Sequence, residues 1–211
     1  MKKTHFSEKH FQALCAVLLL AAIGAAVLFQ YFSDCAELRS EVLRLHIIAA
    51  SDSERDQSVK LKVRDEILKS GAEIFDGSVT AAQAQEKIRP YTEKLESAAN
   101  AVLRENGCDY TAQLEIVNEY FDSRQYGDKT LPAGKYEAVK IILGGGSGKN
   151  WWCVMFPPLC LPAVTQAENE SYAVFSGAGA QVVSGGSEYK VRFKIVEIVE
   201  KFIDSVRSRE K

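Results

Sequence analysis

Residues 13–29 form an apolar run without a charged or strongly polar side chain, and Phe11, Tyr31 and Phe32 extend it. As a helix, about 17–22 such residues reach about 26–33 Å, close to a hydrocarbon core of about 30 Å. Lys2, Lys3 and Lys9 precede the run; Asp34, Glu37, Arg39 and Glu41 follow it with no positive excess. This bias predicts a cytoplasmic N-terminus and export of everything that follows. Two readings stay open. A cleaved signal peptide would use Ser33 and Cys35 as the small residues before a cut preceding Ala36, but its apolar stretch spans only about 7–15 residues. An uncleaved anchor needs the longer run found here. A helix buried in a cytosolic core fits these flanks poorly. The predicted organisation is a basic N-region over residues 1–10, an anchor or signal peptide over 11–32, and an exported domain over 36–211.

In the exported part, Leu43, Leu45 and Ile47 alternate with Arg44 and His46, which predicts a strand over residues 42–48. Ser51 and Glu54 have the spacing of a capping box, and Val59, Val63 and Ile67 share a helical face. The spacing predicts a helix over 51–70, with Gly71 ending it. Thr80 and Gln83 offer a second capping box, Pro90 a kink or a new helix start, and Asn106-Gly107 a stop after the stripe Leu95, Ala98, Ala99, Val102 and Leu103. Strands are predicted over 110–117, 136–143 and 151–156. A polar connection fills 122–134, and a flexible turn fills 144–148. Residues 169–187 read as loops, and a last helical stripe includes Ile195, Ile198, Val199, Phe202, Ile203 and Val206. Helices flanked by strands predict an α+β class: an antiparallel sheet covered by helices, after the N-terminal membrane or signal segment.

Composition narrows the function classes. With 26 basic and 28 acidic residues the chain has a net charge of −2 and no basic excess for a nucleic-acid face. A hydrophobic share of 46% is that of a globular protein, and five cysteines are too few for a disulfide scaffold of 211 residues. The glycines at 144–148 do not build a phosphate loop: Leu143 stands where its first glycine belongs, and Asn150 where it needs Ser or Thr. Neither a cofactor nor a small-molecule substrate is predicted.

Cys153 and Cys160 bracket Pro157-Pro158. A tight turn there permits a disulfide in an oxidising compartment; the alternative is two buried thiols. A sharper alternative makes the chain an exported cysteine hydrolase, with Cys153 as nucleophile, His46 as base and Asp52 as its orienter. His46 is the only histidine beyond the apolar run. Trp151 and Trp152 surround the thiol with apolar bulk, which opposes its ionisation. A zinc site from His46, Cys108, Cys153 and Cys160 lacks a close Cys-x-x-Cys pair, and no metal is predicted. Asp52, Asp56, Lys60, Lys62, Arg64 and Asp65 read as a solvated helix face, with Asp52 at a helix N-terminus where a partner can also dock. Trp151, Trp152, Phe156 and the two prolines suit a recognition patch or an aromatic core.

Certain stretches resemble a known family. Residues 44–57 (RLHIIAASDSERDQ), with LKVRD at 61–65, look like the N-terminal block of stage II sporulation protein R. Tyr126-Gly127, LPAGKYEA at 131–138 and GKNWWCVMFPPLC at 148–160 look like its second and third blocks. The likeness runs over about residues 43–160, with a weaker echo at 191–198; Ala50 replaces the Asn usual before Ser-Asp. The resemblance implies a forespore-made protein sent across the membrane into the space facing the mother cell. There it would activate a membrane-embedded aspartic peptidase, stage II sporulation protein GA, which cleaves the precursor of sigma-E. It implies no catalytic residue. The contact surface is expected at Tyr126, Gly127, Pro132, Gly134, Trp151, Trp152, Phe156, Pro157 and Pro158.

Overall fold

The computed structural model describes residues 8–75, 80–126 and 129–157. A single long helix opens it, α1 (Glu8–Ser40), followed by β1 (Leu43–Ile48) and the helices α2 (Glu54–Phe75), α3 (Ala81–Ile88) and α4 (Thr92–Glu105). Then come β2 (Ala112–Phe121), a small hairpin β3 (Arg124–Tyr126) and β4 (Lys129–Leu131), and the strands β5 (Gly134–Leu143) and β6 (Asn150–Phe156). The sheet order is β2-β5-β1-β6. Helices plus sheet make the α+β class expected, with the long apolar helix in front. The sheet itself is mixed: β2 and β6 run antiparallel to their neighbours, whereas β1 and β5 are parallel. The chain leaves β1, crosses through three helices and returns along β2, so the next reversal, into β5, restores the direction of β1.

Each face of the sheet has its own core. Leu43, Leu45 and Ile47 of β1 meet Val139 and Ile141 of β5 and Cys153 of β6, under Val63, Ile67, Ile88, Leu95 and Leu103 of the helices. On the other face Tyr136, Ala138, Phe121 and Val154 pack with Leu131 of the hairpin and with Tyr31, Cys35 and Leu38 of α1. The alternation read in β1 is present, but both of its faces are covered, so Arg44 and His46 are buried rather than half-solvated.

Local signals held in part. Thr80 caps α3, its hydroxyl accepting from the Gln83 N–H at 3.2 Å. Pro90 sits in a 3-10 turn, Arg89–Tyr91, that starts α4, and Gly107 takes a positive φ after the helix end. The α2 cap lies two residues beyond the expected one: Ser53, not Ser51, accepts from the Asp56 N–H, and the helix starts at Glu54. Gly71 does not end α2. The helix runs through it to Phe75, and the end of the Met155 side chain packs over it where a Cβ would stand 2.5 Å away. The turn 144–148 joins β5 to β6 as expected, with Gly144 and Gly146 at positive φ. The loops at 169–187 and the last helical stripe lie outside the described residues.

Candidate functional site

Arg44 and His46 project from the central strand into the second face, two residues apart and therefore on the same side. Around them stand Phe121 of β2, Tyr126 of the hairpin, Tyr136 of β5 and Trp152 of β6. The Arg44 guanidinium carbon lies 4.3 Å from the Phe121 ring centre, 5.0 Å from Tyr136 and 5.5 Å from Tyr126. Its Nε donates to the Cys153 carbonyl at 3.0 Å, and Nη2 donates to the Tyr126 hydroxyl at 2.8 Å. Nη1 is buried with no hydrogen-bond partner among the described residues. Burial draws the guanidinium below its usual pKa, and the two tyrosine hydroxyls work in the opposite direction. Burial in turn pushes the Tyr136 hydroxyl up, and that hydroxyl donates to the Pro132 carbonyl at 2.5 Å.

His46 lies flat on Trp152, with ring centres 3.6 Å apart and planes 15° off parallel. Its Nδ1 donates to Glu119 Oε1 at 2.7 Å, and Nε2 is 3.0 Å from Asn150 Oδ1. Lys140 stands 3.6 Å from the other Glu119 oxygen. Burial raises the Glu119 pKa, but the hydrogen bond and charge of His46, with Lys140 behind, outweigh it and hold the carboxyl below its usual range. Both imidazole nitrogens are thus engaged, and the ring is fixed between strands.

The cysteine–histidine hydrolase is not assembled. Register pairs Leu45 with Cys153 and His46 with Trp152. Neighbouring positions of a strand point to opposite faces, so the thiol side chain sits in the helix-covered core and the imidazole across the sheet. Cys153 is, moreover, disulfide-bonded. Its expected mate, Cys160, lies outside the described residues, as do Gly127 and Pro158. Cys108 carries a free thiol. Asp52 orients no histidine: its Oδ1 accepts from the Lys149 N–H at 2.7 Å and ties α2 to the turn before β6. Lys60 reinforces that tie through the Lys149 carbonyl at 2.9 Å. Asp56 likewise holds local structure, accepting from the Ser51 and Tyr110 hydroxyls, which lower its pKa. The charge run of α2 is therefore partly a set of tethers. Polar groups five to ninety-seven residues apart cannot be paired from sequence, and only the capping signal hinted at this knot.

The expected recognition residues divide between the faces. Tyr126 and Trp152 are half-buried against the second core. Trp151 is half-buried on the helix side, where the Arg64 guanidinium lies 4.6 Å from its ring centre. Phe156 packs edge-on to Phe75, also on that side, since a bulge at the end of β6 turns it there. Pro157 is buried. Pro132 and Gly134 flank Ala133, whose carbonyl accepts from Arg39 of α1 at 3.2 Å. Sequence reading missed the enclosed Arg44, for which the only signal was a charged residue inside a mostly apolar run.

Comparison with known proteins adds a family. The model of stage II sporulation protein R matches residues 39–166. The protein of that name from Bacillus subtilis (strain 168) is 35% identical over 120 residues, covering 57% of this chain and 54% of the relative. The match thus spans about half the length of that relative. No solved structure matches.

Proposed function

The chain belongs to the stage II sporulation protein R family, and from this premise we propose that it has a role in sporulation signalling, as an exported ligand for a membrane peptidase. Made in the forespore, its domain crosses into the space facing the mother cell. There it activates the sigma-E-processing aspartic peptidase, stage II sporulation protein GA, by binding rather than by chemistry. The observation that carries this reading is the family match coupled to an apolar N-terminal helix long enough to cross a membrane. A disulfide at Cys153 accords with a folded part outside the reducing cytoplasm.

Binding switches a peptidase only if the ligand favours its active state over the inactive one. Promoting association of two peptidase subunits, each lending a carboxylate, would do so. Trp152 and Tyr126 are the contact residues of this proposal, with Gly127 next to Tyr126 in sequence and Pro158 six residues after Trp152. Trp151 and Phe156 are assigned to packing under α2. The role is tested by deleting the gene in its sporulating host and complementing with the unmodified chain or with Trp152→Ala and Tyr126→Phe. Restored cleavage of the sigma-E precursor by the unmodified chain, and reduced cleavage with normally accumulating Trp152→Ala, are the expected results. Full cleavage with the gene deleted would refute the signalling role.

A further inference from the structure

We propose that α1 is a permanent part of the folded domain, so that the chain keeps its N-terminal helix and acts as a membrane-fixed rather than a released signal. The helix has two halves. From Phe11 to Phe29 its large apolar side chains are exposed, among them Leu18, Leu19, Leu20 and Phe29. From Tyr31 onward the burial reverses: Tyr31 is 7% exposed, and Cys35 and Leu38 are 0% exposed, all three inside the second core of the sheet. Only Gln30 separates the last exposed large apolar side chain of the helix, Phe29, from the first buried one, Tyr31, about 3 Å of helix. Residues 25–40 contain neither glycine nor proline, so nothing in the sequence marks a hinge between the halves.

The seat is specific. Arg39 lies across the segment from Pro132 to Gly134 and donates to the Ala133 carbonyl. Gly134 has a φ of +144°, and a Cβ at that position would stand 2.7 Å from Arg39 Cδ and 2.8 Å from its Nη1. The backbone conformation therefore favours glycine, and a Cβ there would also make the docked arginine shift. The Leu-Pro-Ala-Gly segment serves as the receptor for this chain's own helix. The cut expected of a signal peptide, before Ala36, falls between Cys35 and Ala36, in mid-helix and beside a fully buried side chain. It would remove Tyr31 and Cys35 from the core. With the helix kept, the domain begins at the bilayer surface and turns with it, and its reach is limited to partners in the facing membrane.

The test uses the full chain with a different epitope tag at each end, produced in an endospore-forming host. One band bearing both tags and staying with membranes through alkaline extraction is expected. A product that starts at Ala36, without the N-terminal tag, would overturn the proposal. The seat is tested by trypsin on isolated membranes, scoring the bond after Arg39. Gly134→Val is expected to speed that cut about tenfold, equivalent to about 1.4 kcal/mol of docking. Leu38→Ala leaves the β5 backbone unchanged and is expected to speed it similarly while the sheet stays resistant. Equal rates in the unmodified chain and in Leu38→Ala would overturn the docking.

Discussion

A guanidinium enclosed by three aromatic rings has exchanged its hydration for π faces and two neutral acceptors, with no carboxylate bonded to it among the described residues. Such a group fills space more than it gains Coulomb energy, because desolvation offsets much of the attraction. Arg44→Ala is expected to lower stability by about 2–5 kcal/mol, as for a large core truncation. Arg44→Met, which keeps the volume, is expected to lose less than about 1.5 kcal/mol. Denaturant melts of the full chain in detergent measure both. Glu119 makes a different prediction. Its carboxyl is held below the usual value, so its contribution is complete above the unfolded pKa of about 4.3 and is lost as pH falls through the folded value. Glu119→Gln should therefore be less stable at pH 7, and its melting curve should meet that of the unmodified chain in acid. The alternation of Leu43, Leu45 and Ile47 with Arg44 and His46 was legible, but the burial of the polar pair was not. The cover over them comes mainly from residues 121, 126, 136 and 152, far away in sequence, with the end of α1 packed in the same core.

At the scale of elements, the strand-to-helix corner after β1 is held by its partner turn. A Cβ on Gly148 would collide with the Ser51 carbonyl, and Ser147 and Gly148 both donate to carbonyls of residues 49–50. Gly148→Ala is expected to displace that turn at a cost of about 1–3 kcal/mol, read in melts, and to raise hydrogen exchange at the start of α2. Most elements were legible because each carries its own signal: period two in β1 and at the start of β2, helical stripes in α2 and α4, Thr80 as a cap. The hairpin was not, since β3 and β4 have three residues each and show no apolar alternation. Gly71 reads as a helix stop in sequence because what it packs against, the end of Met155, belongs to tertiary packing.

Across the whole molecule, the sheet is closed on both sides by the chain's own residues, on one by α2, α3 and α4 and on the other by the docked end of α1 and the hairpin. Parallel pairing of β1 with β5 could not be read locally, because strand direction depends on the number of reversals in between. The candidate site was legible only as composition: an aromatic-rich block was visible, but its division between two faces follows from register. That division separates Cys153 from His46, so the thiol hydrolase is not assembled among the described residues, and binding remains the proposed means of signalling. The most direct measurement is co-expression of this chain with the peptidase and the sigma-E precursor in a non-sporulating host, scoring the precursor by blot. Cleavage that requires this chain and persists in folded Cys153→Ala is predicted. Cleavage that is independent of the chain, or lost in Cys153→Ala with the fold intact, would contradict the account.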